Sequence, residues 1–90
     1  MPPSSLPDPA NLEPQILAAI AERILEAPAG FNADSDLYAA GLESMAMMQL
    51  VLLLEEKFGV VVPDSDICRA NFQNVRQLAR LVGERLATVA

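Results

Sequence analysis

Ninety residues with a net charge of −6 and 52% apolar side chains make one small domain, with a single core and no deep catalytic cleft. The acidic balance speaks against nucleic acid, whose phosphates need basic side chains, and for basic patches on protein partners. With no histidine and one cysteine, a disulfide framework, the usual zinc sites and a histidine-assisted hydrolase are excluded.

Residues 1–11 contain four prolines, no positive charge and no long apolar segment. They read as a flexible tail and not as a signal peptide. The folded domain is expected over 12–90. A helix is predicted from Leu12, with Asn11 as N-cap and Pro14 in the first turn. Leu12, Ile16, Ile20 and Ile24 recur every fourth residue, with Leu17 beside them, giving one apolar face. Pro28 and Gly30 end it. A long loop, Ala29 to about Glu43, follows and is anchored by Phe31, Leu37 and Tyr38.

Ser44 opens a second helix that runs to about Phe58 and stops at Gly59. At 3.6 residues per turn, Met47, Leu50, Val51, Leu54 and Phe58 fall on a core side. Met45, Met48 and Leu52 fall opposite, among Gln49, Glu55 and Glu56. Apolar groups rimmed by polar ones on a water-facing side mark an interaction surface, and methionine adapts to varied partners. Apolar runs such as Leu50–Leu54 are far too short to span a bilayer. The expectation is a soluble, cytoplasmic monomer without membrane or nucleic-acid partners.

"GVVVPDSD", from Gly59 to Asp66, has no second strand to pair with, and Pro63 removes a ladder donor. It is expected to be an extended connector whose valines cover the core, followed by a short helical turn around Asp66–Arg69. Cys68 reads as a small buried or half-buried thiol. Asn74 caps the last helix, whose buried stripe is Val75, Leu78, Ala79, Val82 and Leu86. Arg76 and Arg80 lie on its solvated side. The fold class is all-α: a small bundle of three main helices and a short fourth, with a long loop between helices 1 and 2.

Ser44 has two compatible roles on local grounds. It can cap the second helix, and its hydroxyl can be modified by another enzyme. A phosphate ester there would meet the positive end of the helix dipole and unpaired N–H groups. No base is present to make Ser44 a nucleophile by itself.

"DLYAAGLESMAMMQLVLLLEEKFGVVVPDSDI", Asp36 to Ile67, resembles the core of acyl and peptidyl carrier proteins. Gly41, Leu42, Glu43, Ser44 and Met45 stand in the family order, and the match runs without a gap through Leu50, Leu54, Glu55, Phe58 and Pro63. "NFQNVRQLARLV", Asn71 to Val82, resembles the family's last helix and its entry. The similarity covers roughly Leu12 to Leu86. It implies an acyl-carrier-like fold and a covalent 4′-phosphopantetheine arm on Ser44, transferred from coenzyme A by a phosphopantetheinyl transferase. The arm's thiol would hold an acyl or aminoacyl cargo, loaded by a ligase and passed to a downstream acyltransferase or synthase. The carrier itself has no catalysis and no resident metal.

Glu43 stands where the family commonly has Asp. It either assists the transferase and its magnesium or complements the helix dipole. Fatty-acid carriers put acids where this chain has Ala46 and Gln49. That departure leans toward a discrete carrier loaded by a dedicated ligase, as in aminoacyl, D-alanyl or secondary-metabolite systems. Glu43, Met45, Met48, Gln49, Leu52 and Glu55 are the expected docking residues. The rival is an unmodified helical adaptor using the Met45, Met48 and Leu52 surface, with Ser44 only a cap.

Overall fold

The computed structural model describes residues 9–25 and 29–89. It contains α1 (Pro9–Arg23), α2 (Ser44–Phe58), a single 3₁₀ turn (Asp64–Asp66) and α3 (Val75–Val89), with no strand among the described residues. The expected all-α bundle with a long first loop is what the chain forms.

α1 starts earlier than its apolar pattern suggested. Pro9 is its first described residue, suited to the first turn by its fixed φ and missing N–H. Asn11 is therefore inside the helix and not its cap, and its carbonyl accepts the Gln15 side-chain amide at 3.1 Å. Pro14 lies within the helix, beyond the first turn where it was expected. The boundary placed at residue 11 falls inside α1, while residues 1–8 lie outside the described residues. The helix closes after Arg23, where the N–H groups of Ile24 and Leu25 share the Ile20 carbonyl at 2.9 and 3.0 Å. Pro28 is also outside the described residues.

α1 buries Leu12, Ile16 and Ile20, with Ile24 and Leu17 partly covered. α3 packs chiefly on α1, and α2 touches each of them more sparingly. The shared core adds Leu37, Leu42, Phe72, Val75, Leu78, Ala79, Leu81 and Val82. Asn74 caps α3 as expected: its Oδ1 accepts the Gln77 N–H at 2.9 Å, satisfying one of the helix's free donors. At the other end of the central helix, Gly59 takes the left-handed conformation, φ 68°, and its N–H bonds the Glu55 carbonyl at 2.9 Å. A side chain there would be strained, and glycine is not.

The connector differs in three details. Val60 and Val62 are buried but Val61 is turned out, so only two of the three valines cover the core. The helical turn sits at Asp64–Asp66, two residues early. Cys68 is exposed, which corrects the expected buried or half-buried thiol. The turn instead directs Ile67 and Phe72 inward, and these larger side chains leave no need for a thiol in the core.

Candidate functional site

The long loop delivers the chain to α2 through a tight turn over residues 37–42. Asp36 Oδ1 accepts the Tyr38 N–H at 2.9 Å, and the Leu42 N–H bonds the Leu37 carbonyl at 2.9 Å. Both leucines are buried, so the turn is pinned from below. Gly41 between them has φ 112°, a conformation that a side chain would strain. Leu42 is thereby held in the core, and Glu43 and Ser44 emerge exposed immediately after it.

Glu43, not Ser44, occupies the cap position. Its backbone is extended, its carbonyl accepts the Met47 N–H at 2.7 Å, and no side-chain hydrogen bond caps the helix. Ser44 is the first helical residue, and among the described residues its hydroxyl has no hydrogen-bond partner. The capping role expected for it is therefore absent. What remains is an exposed hydroxyl beside the unpaired N–H donors of the first turn, at the positive end of the dipole. A substituent on that oxygen would break no hydrogen bond among the described residues.

Beyond Ser44, α2 divides as its periodicity predicts. Leu50, Val51 and Leu54 are buried, and Met47 and Phe58 partly so. Met45, Met48 and Leu52 are 73%, 53% and 56% exposed, and Val61 of the connector is 72% exposed. Leu53 is also buried; the helical wheel alone did not assign it to the core. Gln49 is exposed and, with Leu52, Leu53 and Glu56, faces Arg23 and Ile24 across a shallow groove at the end of α1.

Glu55 also makes a bond within the chain. It is half-buried, and its carboxylate accepts the Val62 N–H at 2.9 Å. The carboxylate thus ties α2 to its own connector. Val61 is the exposed apolar residue that the sequence did not single out, although alternation within "GVVVP" carries the signal.

Among the described residues, no group of three His, Cys, Asp or Glu side chains could hold a metal ion. Among the described residues, no helix is long and apolar enough to cross a membrane.

A family profile described as "Phosphopantetheine attachment site" matches residues 15–82. An aminoacyl carrier protein of Agrobacterium fabrum is 42% identical over 45 residues, 50% of this chain and 54% of that protein. The chain thus spans about half the length of that curated relative. A solved structure of a Bradyrhizobium japonicum glycine:carrier-protein ligase complexed with glycylated carrier protein matches with a TM-score of 0.61 and 29% identity. That match covers 81% of this chain and 96% of the other. An acyl carrier protein of Thermotoga maritima superposes with a TM-score of 0.69 at 19% identity, over 91% of this chain and 94% of that one. This last likeness concerns the fold alone.

Proposed function

The chain belongs to the phosphopantetheine-attachment family, and we propose that it is an aminoacyl carrier whose arm is attached at Ser44. The observation that carries this reading is the exposed Ser44 hydroxyl, free of any capping bond, at the first residue of α2. The family carries 4′-phosphopantetheine covalently, and the arm when bound supplies the thiol that holds cargo as a thioester.

This chain's own residues present the arm and offer docking surface. Gly41 and Leu42 fix the entry of α2, and the first-turn N–H groups receive the phosphodiester charge. Met45, Met48 and Leu52, with Gln49 and Glu43 at the margin, form the surface that partner enzymes meet. Glu43 complements the dipole from the cap position and stands open to the transferase. The protein performs no catalysis of its own, because the absence of histidine leaves Ser44 without its usual activator.

An aminoacyl cargo is supported by the Agrobacterium relative and by the neighbour complexed with a glycine ligase. A ligase that activates an amino acid is accordingly the loading partner, and an acyl-transferring enzyme the consumer.

The test is intact mass after incubation with coenzyme A, magnesium and a broad phosphopantetheinyl transferase. The wild type gains one arm and Ser44→Ala gains none. A wild type left unmodified by several transferases would sink the carrier reading in favour of an unmodified adaptor.

A further inference from the structure

Arg23, the last residue of α1, and Glu56, in the last turn of α2, line the groove between these helices with Ile24, Gln49, Leu52 and Leu53. Its volume is about 310 Å³, at the small end of the range for small-molecule sites. The buried Leu53 and half-buried Ile24 give it an apolar floor. Arg23 and Glu56 are both exposed, and among the described residues neither side chain has an ion-pair or hydrogen-bond partner. A cation and an acid thus border one groove without neutralising each other. The same two residues also border a second hollow, with Glu22 and Lys57, so they mark the end of the first groove that lies away from Ser44.

Met45, Gln49, Leu52 and Glu56 are four, three and four residues apart, which puts them on one face of α2 beginning next to Ser44. At the ~3.5 Å that an extended peptide covers with three bonds, an arm of ~14 bonds to its sulfur reaches ~16 Å, and the ammonium of an aminoacyl cargo ~20 Å. Glu56 lies twelve residues beyond Ser44, roughly 18 Å along the axis, and its own side chain covers the turn around the helix. Gln49 lies five residues beyond Ser44, roughly 7.5 Å, at the level of the arm's first amide. Its side-chain amide both donates and accepts, as that amide does. Leu52 and Leu53 stand between the two levels, where the arm has methylenes. Arg23 can only donate, which suits the carbonyl of the cargo, and Glu56 can accept from the ammonium beside that carbonyl.

We infer that the groove between α1 and α2 is a resting site for the aminoacylated arm, in which Glu56 receives the ammonium of the cargo and Arg23 its carbonyl. The site distinguishes an aminoacyl cargo from a plain acyl group, which offers Glu56 nothing to bind. The inference rests on the aminoacyl-carrier reading and deepens it.

The experiment compares backbone amide resonances of the carrier bearing the arm alone, a glycyl arm and an acetyl arm. A phosphopantetheinyl transferase installs them from coenzyme A and from hydrolysis-stable amide analogues of glycyl- and acetyl-coenzyme A. The glycyl form shifts the amides of Gln49, Leu52, Leu53 and Glu56 and, across the groove, those of Arg23 and Ile24. Its population in the groove exceeds that of the acetyl form about two- to fivefold, the range of an exposed ion pair, and the excess falls in high salt. Glu56→Gln brings the glycyl form down to the acetyl level, and Arg23→Gln weakens both forms. Equal shifts for glycyl and acetyl arms in the wild type overturn the inference without recourse to any variant. So do shifts confined to the residues next to Ser44, glycyl-specific shifts that survive Glu56→Gln, or shifts that grow with protein concentration, since a second copy would then fill the groove. A wild type that takes no arm removes the carrier reading and this inference with it, whereas a loaded carrier without glycyl-specific shifts removes only the inference.

Discussion

Arg76 at the start of α3 holds Asp34 of the long loop at two points, Nε to Oδ1 at 2.6 Å and a terminal guanidinium nitrogen to Oδ2 at 2.9 Å. Two backbone bonds reinforce the junction: the Arg76 N–H to the Ala33 carbonyl at 3.1 Å, and the Leu37 N–H to the Gln73 carbonyl at 2.7 Å. The loop that leads to Ser44 is thus secured by the helix farthest from it in sequence.

The guanidinium hydrogen bond holds the Asp34 carboxyl below its ordinary value of 3.8, and Asp34 in turn raises Arg76. A carboxyl depressed in the folded state stabilises the fold above its unfolded value, and that stabilisation is lost as pH falls through the folded value. Asp34→Asn is expected to melt slightly below wild type at neutral pH. The gap should close on acidification below about pH 4 and shrink in high salt, because both partners face water. Melting curves of the two proteins across that range decide it. A gap that persists in strong acid means that something other than this ion pair is lost.

Tyr38 carries the opposite signature. Burial pushes its phenol above 10, with the nearby Arg69 guanidinium pulling it down. That guanidinium lies over the ring, 4.2 Å from its centroid. A raised folded value leaves stability intact below the ordinary phenol value and removes it as pH rises through the folded one. The hydroxyl is buried with no hydrogen-bond partner among the described residues. Tyr38→Phe keeps the ring under Arg69 and removes an unsatisfied polar atom. It should gain about 1 kcal/mol and abolish the alkaline loss, as read from denaturant curves at neutral and high pH. A destabilised Phe variant would show that the hydroxyl finds a partner in solution.

Ser44→Ala and Leu54→Ala separate attachment from folding. No bond is lost with the Ser44 hydroxyl, so that variant should stay within about 0.5 kcal/mol of wild type while gaining no arm. Leu54 is fully buried, and its truncation should cost roughly 2–5 kcal/mol. Chemical denaturation and intact mass on both proteins provide the readout. Unfolding of Ser44→Ala would leave its missing arm without meaning.

Adjacent methionines test the two sides of α2. Met48 is half exposed and Met47 is packed against the core. Met48→Glu should leave the melting temperature near wild type and weaken arm transfer or loading. Met47→Glu places the same charge against apolar neighbours and should unfold the domain. Equal melting curves for the pair would show that the two faces do not differ in burial.

The outward Met45, Met48 and Leu52, the Asn74 cap and the Gly59 stop were all legible in the sequence. Each depends on residues within one or two turns, where the helical repeat and backbone stereochemistry act. Leu53, Cys68, Glu55 and Asp34 were not. Leu53 is buried because the end of α1 lies beside it across the groove. Cys68 is exposed because Ile67 and Phe72 take the inward positions. Glu55 is occupied because the connector folds back along α2, and Asp34 because α3 brings Arg76 to the loop. A repeat specifies how side chains are disposed around their own axis. Which of those directions is covered, and which polar group finds a partner, depends on where other elements pack, and that was settled only when distant segments came to share one core.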